Sequence, residues 1–166
     1  NPAADVIIFN LYRPKKNNKT TKKKYRVRYH NFMKFGATRI AIRRKSITMK
    51  GINFNLHFGG GAEYSAGEDT LFILDCLKNK LKVIAVPEHI AQLTDFRKST
   101  WFNGYTEKYF IDKGVLFASI SARFSLLLCL QFLLRHRKMY NSEMNIKQAF
   151  RLMYKGTEIV RNKTFL

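Results

Sequence analysis

Acidic residues are what this sequence most lacks. Only 11 of its 166 residues are Asp or Glu, against 31 Lys and Arg, and none lies between Asp5 and Glu63. The net charge of +20 predicts an anionic partner, whether nucleic acid, an anionic membrane surface or a phosphorylated substrate. Charge alone does not choose among these. Cysteine is scarcer still, with two residues. Cys76 and Cys129 both lie in apolar helical patterns, which argues against a disulfide frame or metal site and for small core residues in a reducing compartment. No zinc-type spacing, recognisable nucleic-acid motif or internal repeat occurs. A membrane-spanning run is also missing: the uncharged stretch from Phe124 to Leu134 covers eleven residues, against the ~20 a transmembrane helix needs. There is neither an initiator Met nor a signal-type segment at Asn1, so a fragment of a longer polypeptide is expected.

What is present suffices for a folded core, with 46% apolar and 14% aromatic residues in a chain of single-domain length. Asp5–Asn10 reads as a buried strand. From Arg13 to Arg28 nine of sixteen residues are Lys or Arg, a basic loop leading into an exposed strand where Tyr25, Val27 and Tyr29 alternate with cations. Phe35–Arg44 reads as a turn and a strand with Ile40 and Ile42 on one face. Arg39, Arg43 and Arg44 are anion contacts or plain surface. Leu81–Pro87 is the best strand pattern, closed by its proline.

Gly114–Leu134 is strongly apolar and is followed by Arg135, Arg137 and Lys138. That combination describes an interfacial membrane helix, and equally a core helix whose last turn carries its favoured cations. A last helix is predicted over Asn145–Val160, with Ile146, Ala149, Phe150 and Met153 on one face and Lys147, Arg151 and Lys155 opposite.

The stretch Phe58–Leu74 organises the rest. Gly59, Gly60 and Gly61 give it a flexible glycine-rich entry, and Leu71, Leu74 and Leu77 recur near helical spacing. Glu68 and Asp69 sit where loop becomes helix. Unpaired amide N–H groups there carry the positive end of the macrodipole and hold carboxylates ionised and ordered. A fixed carboxylate of that kind suits a general base. Acids in a first helical turn are also a routine stabilising device, so the local pattern serves both readings. The lone Trp101, flanked by Ser99, Thr100 and Tyr105, either stacks on a sugar or base or is simply packed.

Three segments in order carry a resemblance: Phe58-Gly-x-Gly-Ala-x-Tyr-x-x-Gly-Glu-Asp-Thr-Leu-Phe72, then Leu81-Lys-Val-Ile-Ala-Val-Pro87, then Ser99-Thr-Trp-Phe-x-Gly-Tyr-x-x-Lys-Tyr-Phe-x-Asp-Lys-Gly114. Together they resemble bacterial family 2 glycosyltransferases, which have the GT-A fold and build surface polysaccharides. The resemblance implies an α/β fold, a partial GT-A-like mixed sheet with flanking helices, over residues 1–113. A helical C-terminal section over 114–166, associated with a membrane surface, would follow. It implies inverting transfer of a sugar from a nucleotide-sugar donor to a glycan or lipid-linked acceptor hydroxyl, with Asp69 as catalytic base and Glu68 as its supporting neighbour. Gly60, Gly61, Gly67, Arg97, Lys98, Ser99, Thr100 and Trp101 would contact substrate.

Such enzymes use a divalent metal, Mg or Mn, usually on an Asp-x-Asp motif, to disperse diphosphate charge. No Asp-x-Asp occurs here. The chain therefore reads as the acceptor-side half, inactive alone, with no metal of its own and His89 as a weak candidate toward the phosphate or metal of the whole enzyme. A cytoplasmic location, peripheral on the inner membrane face, and self-association of an exposed half-interface complete the expectations. Two other readings compete. A nucleic-acid-binding module would explain the charge, and a non-catalytic membrane-surface adaptor would make the acids mere helix-end stabilisers.

Overall fold

The β-branched run Val6–Tyr12 forms the strand (β1) on which a four-stranded sheet is built. Val6 and Ile8 are wholly buried, as residues on the covered face of a central strand should be. The chain is seen here in a computed structural model that describes residues 4–12, 20–92, 102 and 104–164. It divides into two units, Asn1–Leu56 with Glu68–Lys98, and His57–Gly67 with Ser99–Leu166.

In the first unit the sheet order is β2-β4-β1-β3, where β2 is Tyr25–Arg26, β3 is Ile40–Ile42 and β4 is Val83–Gln92. β1 and β4 run parallel in the register Val6↔Val83, whereas β2 and β3 pair antiparallel with β4 and β1. The sheet is mixed and the fold α/β, as expected. Among the described residues this unit holds the α-helices α1, Arg44–Met49, and α2, Glu68–Lys78. α2 buries Leu71, Phe72, Ile73, Leu74 and Cys76, and Phe54 stacks on Phe72 with ring centroids 4.3 Å apart. Its turn into β4 is closed by Lys80 in the left-handed region (φ 61°) and by the Leu81 N–H donating to the Cys76 carbonyl at 2.9 Å.

Two strand expectations are corrected. β4 does not stop at Pro87 but continues to Gln92. Between the paired positions Ile8↔Ala85 and Asn10↔His89, three β4 residues (Val86, Pro87, Glu88) face the single Phe9 of β1. Pro87 thus sits in an irregular stretch where no ladder N–H is needed. Its carbonyl accepts from Asn10 Nδ2 at 2.8 Å. The strand after Phe35 is also shorter than expected. Only Ile40–Ile42 pair, and Arg44 already opens α1. On the opposite edge of the sheet β2 is just two residues long, although the Val27 N–H still donates to the Val83 carbonyl at 2.9 Å.

Among its described residues the second unit holds three helices, α3 (Glu107–Ile120), α4 (Ser125–Tyr140) and α5 (Ile146–Thr164). Thr106 caps α3 by accepting from the Tyr109 N–H, and Asn145 Oδ1 accepts from the Gln148 N–H at the start of α5. α3 and α5 cross with backbones in contact. A Cβ on Gly114 would stand 2.0 Å from the Met153 carbonyl oxygen, and one on Gly156 would stand 2.1 Å from that of Ile111. Phe110 packs edge-on to Tyr140, whose hydroxyl donates to the Leu133 carbonyl.

The expected division at 113/114 is not where the units part, because α3 runs unbroken through it. Nor is Gly114–Leu134 one helix: Ser121 is extended (φ −159°, ψ 109°) and the chain turns before α4 begins at Ser125. No helix among the described residues is long and apolar enough to cross a membrane.

Candidate functional site

Asp69 stands in the first turn of α2, where helix N–H groups have no intrahelical partner. Its Oδ1 accepts from the Thr70 N–H at 2.7 Å, and the Ala37 N–H also donates to its carboxylate. Gly36 lies against the other oxygen, such that a Cβ there would be 3.6 Å from Asp69 Oδ2. The carboxylate is half-buried. Burial raises its pKa above the usual carboxylate value and the charge of Glu68 raises it further, while the Thr70 and Ala37 donors only partly oppose this. Asp69 is therefore a better proton acceptor than a free carboxylate, held by fixed donors at a helix start.

The turn that supplies Ala37 is tied to the carboxyl-terminal half of β1. Arg39, at its end, donates from Nε to the Phe9 carbonyl at 2.7 Å and from a terminal nitrogen to Asn10 Oδ1 at 3.2 Å. Asn10 is almost wholly buried. Its amide nitrogen donates to the Thr21 and Pro87 carbonyls, and its oxygen also accepts from the Thr21 N–H. All four hydrogen-bonding positions of this side chain are thus used. It fastens together β1, the irregular part of β4 and Thr21 of the basic segment. Asp69 accordingly neighbours the carboxyl-terminal side of the parallel β1–β4 pair, where open α/β sheets place their ligands.

Neither Asn10 nor the Gly36–Ala37 turn was singled out by sequence reasoning. An Asn inside an otherwise apolar strand pattern was the available signal for the first, and a Gly before a strand for the second. Arg39, left between anion contact and surface, is a structural clasp on Phe9 and Asn10. His89 pairs in register with Asn10 on β4, and its exposed ring meets Tyr12 edge-on with centroids 6.2 Å apart.

The glycines answer to a different unit. Gly60 is exposed in the turn, and Gly61 (φ 83°) faces open space. The loop they belong to is closed on itself, for the Gly59 N–H donates to the Tyr64 carbonyl and the Tyr64 N–H to that of His57, each at 2.9 Å. It is also fastened to α3: the Ser65 N–H donates to Asp112 Oδ2 at 3.0 Å, and Lys108 Nζ bridges the Glu63 carbonyl and the Asp112 carboxylate. Gly67 stands at φ 129°, backbone that residues with a Cβ rarely adopt, and Leu116 Cδ1 occupies the space a Cβ would enter, 2.6 Å away. These contacts replace the expected flexible entry with a hydrogen-bonded turn. The chain passes from this unit to the other between Gly67 and Glu68, so glycines and acids of the motif serve separate packings. Arg97, Lys98, Ser99, Thr100 and Trp101 lie outside the described residues.

Both cysteines are free and buried. Burial pushes the Cys76 thiol up to about 12 and the Cys129 thiol up to about 11, which leaves neither as a nucleophile. Among the described residues no group of three His, Cys, Asp or Glu comes together that could hold a metal ion. The resemblance places its divalent metal on an Asp-x-Asp motif, which this sequence does not contain. Compared with protein-family models, curated proteins and solved structures, the chain matches none.

Proposed function

We propose that this chain is the acceptor-side part of an inverting glycosyltransferase with a GT-A-type sheet, and that Asp69 is its catalytic base. The observation that carries the reading is the Asp69 carboxylate, half-buried and raised in pKa, fixed by the Thr70 and Ala37 N–H groups beside the carboxyl-terminal side of the parallel strand pair. The acceptor hydroxyl gives its proton to this carboxylate as its oxygen attacks the anomeric carbon. The bond from that carbon to the diphosphate breaks on the opposite face, the electron pair leaves with the nucleoside diphosphate, and configuration inverts. A sugar hydroxyl is a poor nucleophile without such an acceptor, and a positioned base contributes typically 10²–10⁴-fold. Glu68 acts on Asp69 by its charge, keeping the base's proton affinity high. No step runs through a metal held by these residues.

The test is transfer by the protein that carries this chain, supplied with UDP- and GDP-sugars and read as nucleoside diphosphate released in the presence of a glycan acceptor. Asp69→Asn should lower turnover by about 10²–10⁴ and abolish the acidic limb of the pH profile. Near-normal transfer by that variant removes Asp69 as base, and no release from any donor by the wild type removes the glycosyltransferase reading itself.

A further inference from the structure

The face of α4 turned away from its own unit is apolar where a surface helix should be polar. Its inward face is made by Ser125, Cys129, Leu133 and Tyr140, all wholly buried. On the opposite side Leu127 (63% exposed), Leu130 (45%) and Leu134 (59%) line up at i, i+3 and i+7, with Phe124 (54%) just ahead of the first turn. Gln131, at the same face, is exposed as well. Leucines spaced in this way are the pattern of a docking seam, and α3 and α5 cover the other side of the helix.

Charge says what covers it. The last turns of α4 carry Arg135, Arg137 and Lys138, all exposed, and the Arg123 guanidinium lies over the Phe124 ring at 5.6 Å. Between Asp112 and Glu143 the sequence contains no acid at all. A protein partner with a complementary seam would need acidic residues opposite these cations. A bilayer with anionic headgroups meets both features at once, taking leucine side chains into the acyl boundary while arginine and lysine stay among the phosphates. With only 16 residues, α4 lies in the interface and does not span it.

We propose that α4 is an interfacial membrane helix which seats the second unit on an anionic bilayer, with Leu127, Leu130, Leu134 and Phe124 in the lipid and the cations of its carboxyl-terminal turns at the headgroups. The proposal needs no catalysis and stands apart from the transfer reaction. It is tested by sedimentation of the full chain with vesicles of phosphatidylcholine alone and of phosphatidylcholine with phosphatidylglycerol, comparing wild type with Leu127→Glu/Leu134→Glu. Both positions are exposed, and far-ultraviolet circular dichroism and thermal unfolding check that the variant folds as the wild type does.

The wild type is expected to partition onto the anionic vesicles and hardly onto the neutral ones, and the double variant to bind the anionic vesicles at least about tenfold more weakly. Two results overturn the proposal. Equal binding by wild type and variant means charge elsewhere in this +20 protein carries the attraction. A wild-type chain that ignores anionic vesicles but self-associates in sedimentation velocity, with the variant monomeric, assigns the leucine face to a second copy of the chain.

Discussion

Replacing Gly156 with alanine should destabilise the protein, against the ordinary behaviour of helical glycine. In an exposed helix interior the change gains about 1 kcal/mol, because alanine loses less backbone freedom on folding. Gly156, however, lies where α5 crosses α3, and the new methyl would stand 2.1 Å from the Ile111 carbonyl oxygen and 2.9 Å from the Val115 nitrogen. A comfortable carbon–oxygen approach is about 3.3 Å, so the helices must part by roughly 1 Å. Neither obstacle is a side chain that can rotate away. Overpacking costs about 1–3 kcal/mol even where side chains can adjust. Backbone obstruction takes the upper end, and the expected net loss is about 2 kcal/mol after the propensity gain. For a chain of this size that lowers Tm by roughly 4–8 °C.

Gly114→Ala meets the Met153 carbonyl at 2.0 Å in the same crossing and should cost as much. The double variant should cost clearly less than the sum, since the second methyl enters a gap the first has already opened. Thermal and urea unfolding of the three variants would measure this. A raised Tm for Gly156→Ala, or strict additivity in the double variant, would refute the crossing geometry.

Asp5 holds β1 in place by accepting from Ser46 Oγ at 2.6 Å and from the Lys82 N–H at 2.8 Å, and these bonds keep its pKa below the usual value of 3.8. A lowered folded pKa means stability that is present above the unfolded value and lost as pH falls through the folded one. Ser46→Ala should therefore cost about 1 kcal/mol at pH 7 and converge with wild type in strong acid, as urea midpoints across pH would record. Asp69 has the opposite sign. Its raised pKa means that the ionised form weighs against folding above the folded value, and the burden lifts as pH falls toward 3.8. Asp69→Asn should unfold at higher urea than wild type at pH 7, with the difference shrinking in acid; a variant less stable than wild type at pH 7 contradicts this. Lys80→Gly should stabilise by roughly 0.5–1 kcal/mol, because the turn after α2 holds a non-glycine at φ 61°, and a lowered Tm would count against that turn.

What could be read from the sequence was read through periodicity. The apolar run in β1, the leucine spacing in α2 and the two-faced pattern of α5 each belong to an element whose burial pattern is set within one segment. Asn145 at the head of α5 and the acids at the head of α2 mark their helix starts at the expected residues. Features set by a distant partner were not legible. Pro87 looked like a strand end because nothing local says that β1 allows three residues of β4 to face one of its own. The break at Ser121 was hidden inside continuous apolar character, since residues facing the core on two successive helices look alike in sequence. Gly114 and Gly156 are 42 positions apart, and only the crossing of α3 and α5 makes them one feature. Asn10 is of the same kind, as its four partner atoms come from Thr21, Arg39 and Pro87.

The candidate site separates along a similar line. Around the Gly-Glu-Asp element most residues are accounted for by packing alone. Gly67 makes room for Leu116, Asp112 and Lys108 close the glycine loop, and Arg39 clasps Asn10. Asp5 shows what a carboxylate kept for stability looks like in this chain, with donors that outweigh its burial and a lowered pKa. Asp69 also has donors, yet burial and the adjacent Glu68 prevail and its proton affinity is raised. A first-turn carboxylate whose whole purpose was to cap α2 would be more stable exposed, where dipole and N–H groups act without desolvation. Here it is drawn inward beside Gly36 and made more basic. The folded state thereby carries a cost in stability, and a carboxylate made more basic at such a cost is what the proposed role of Asp69 as base calls for.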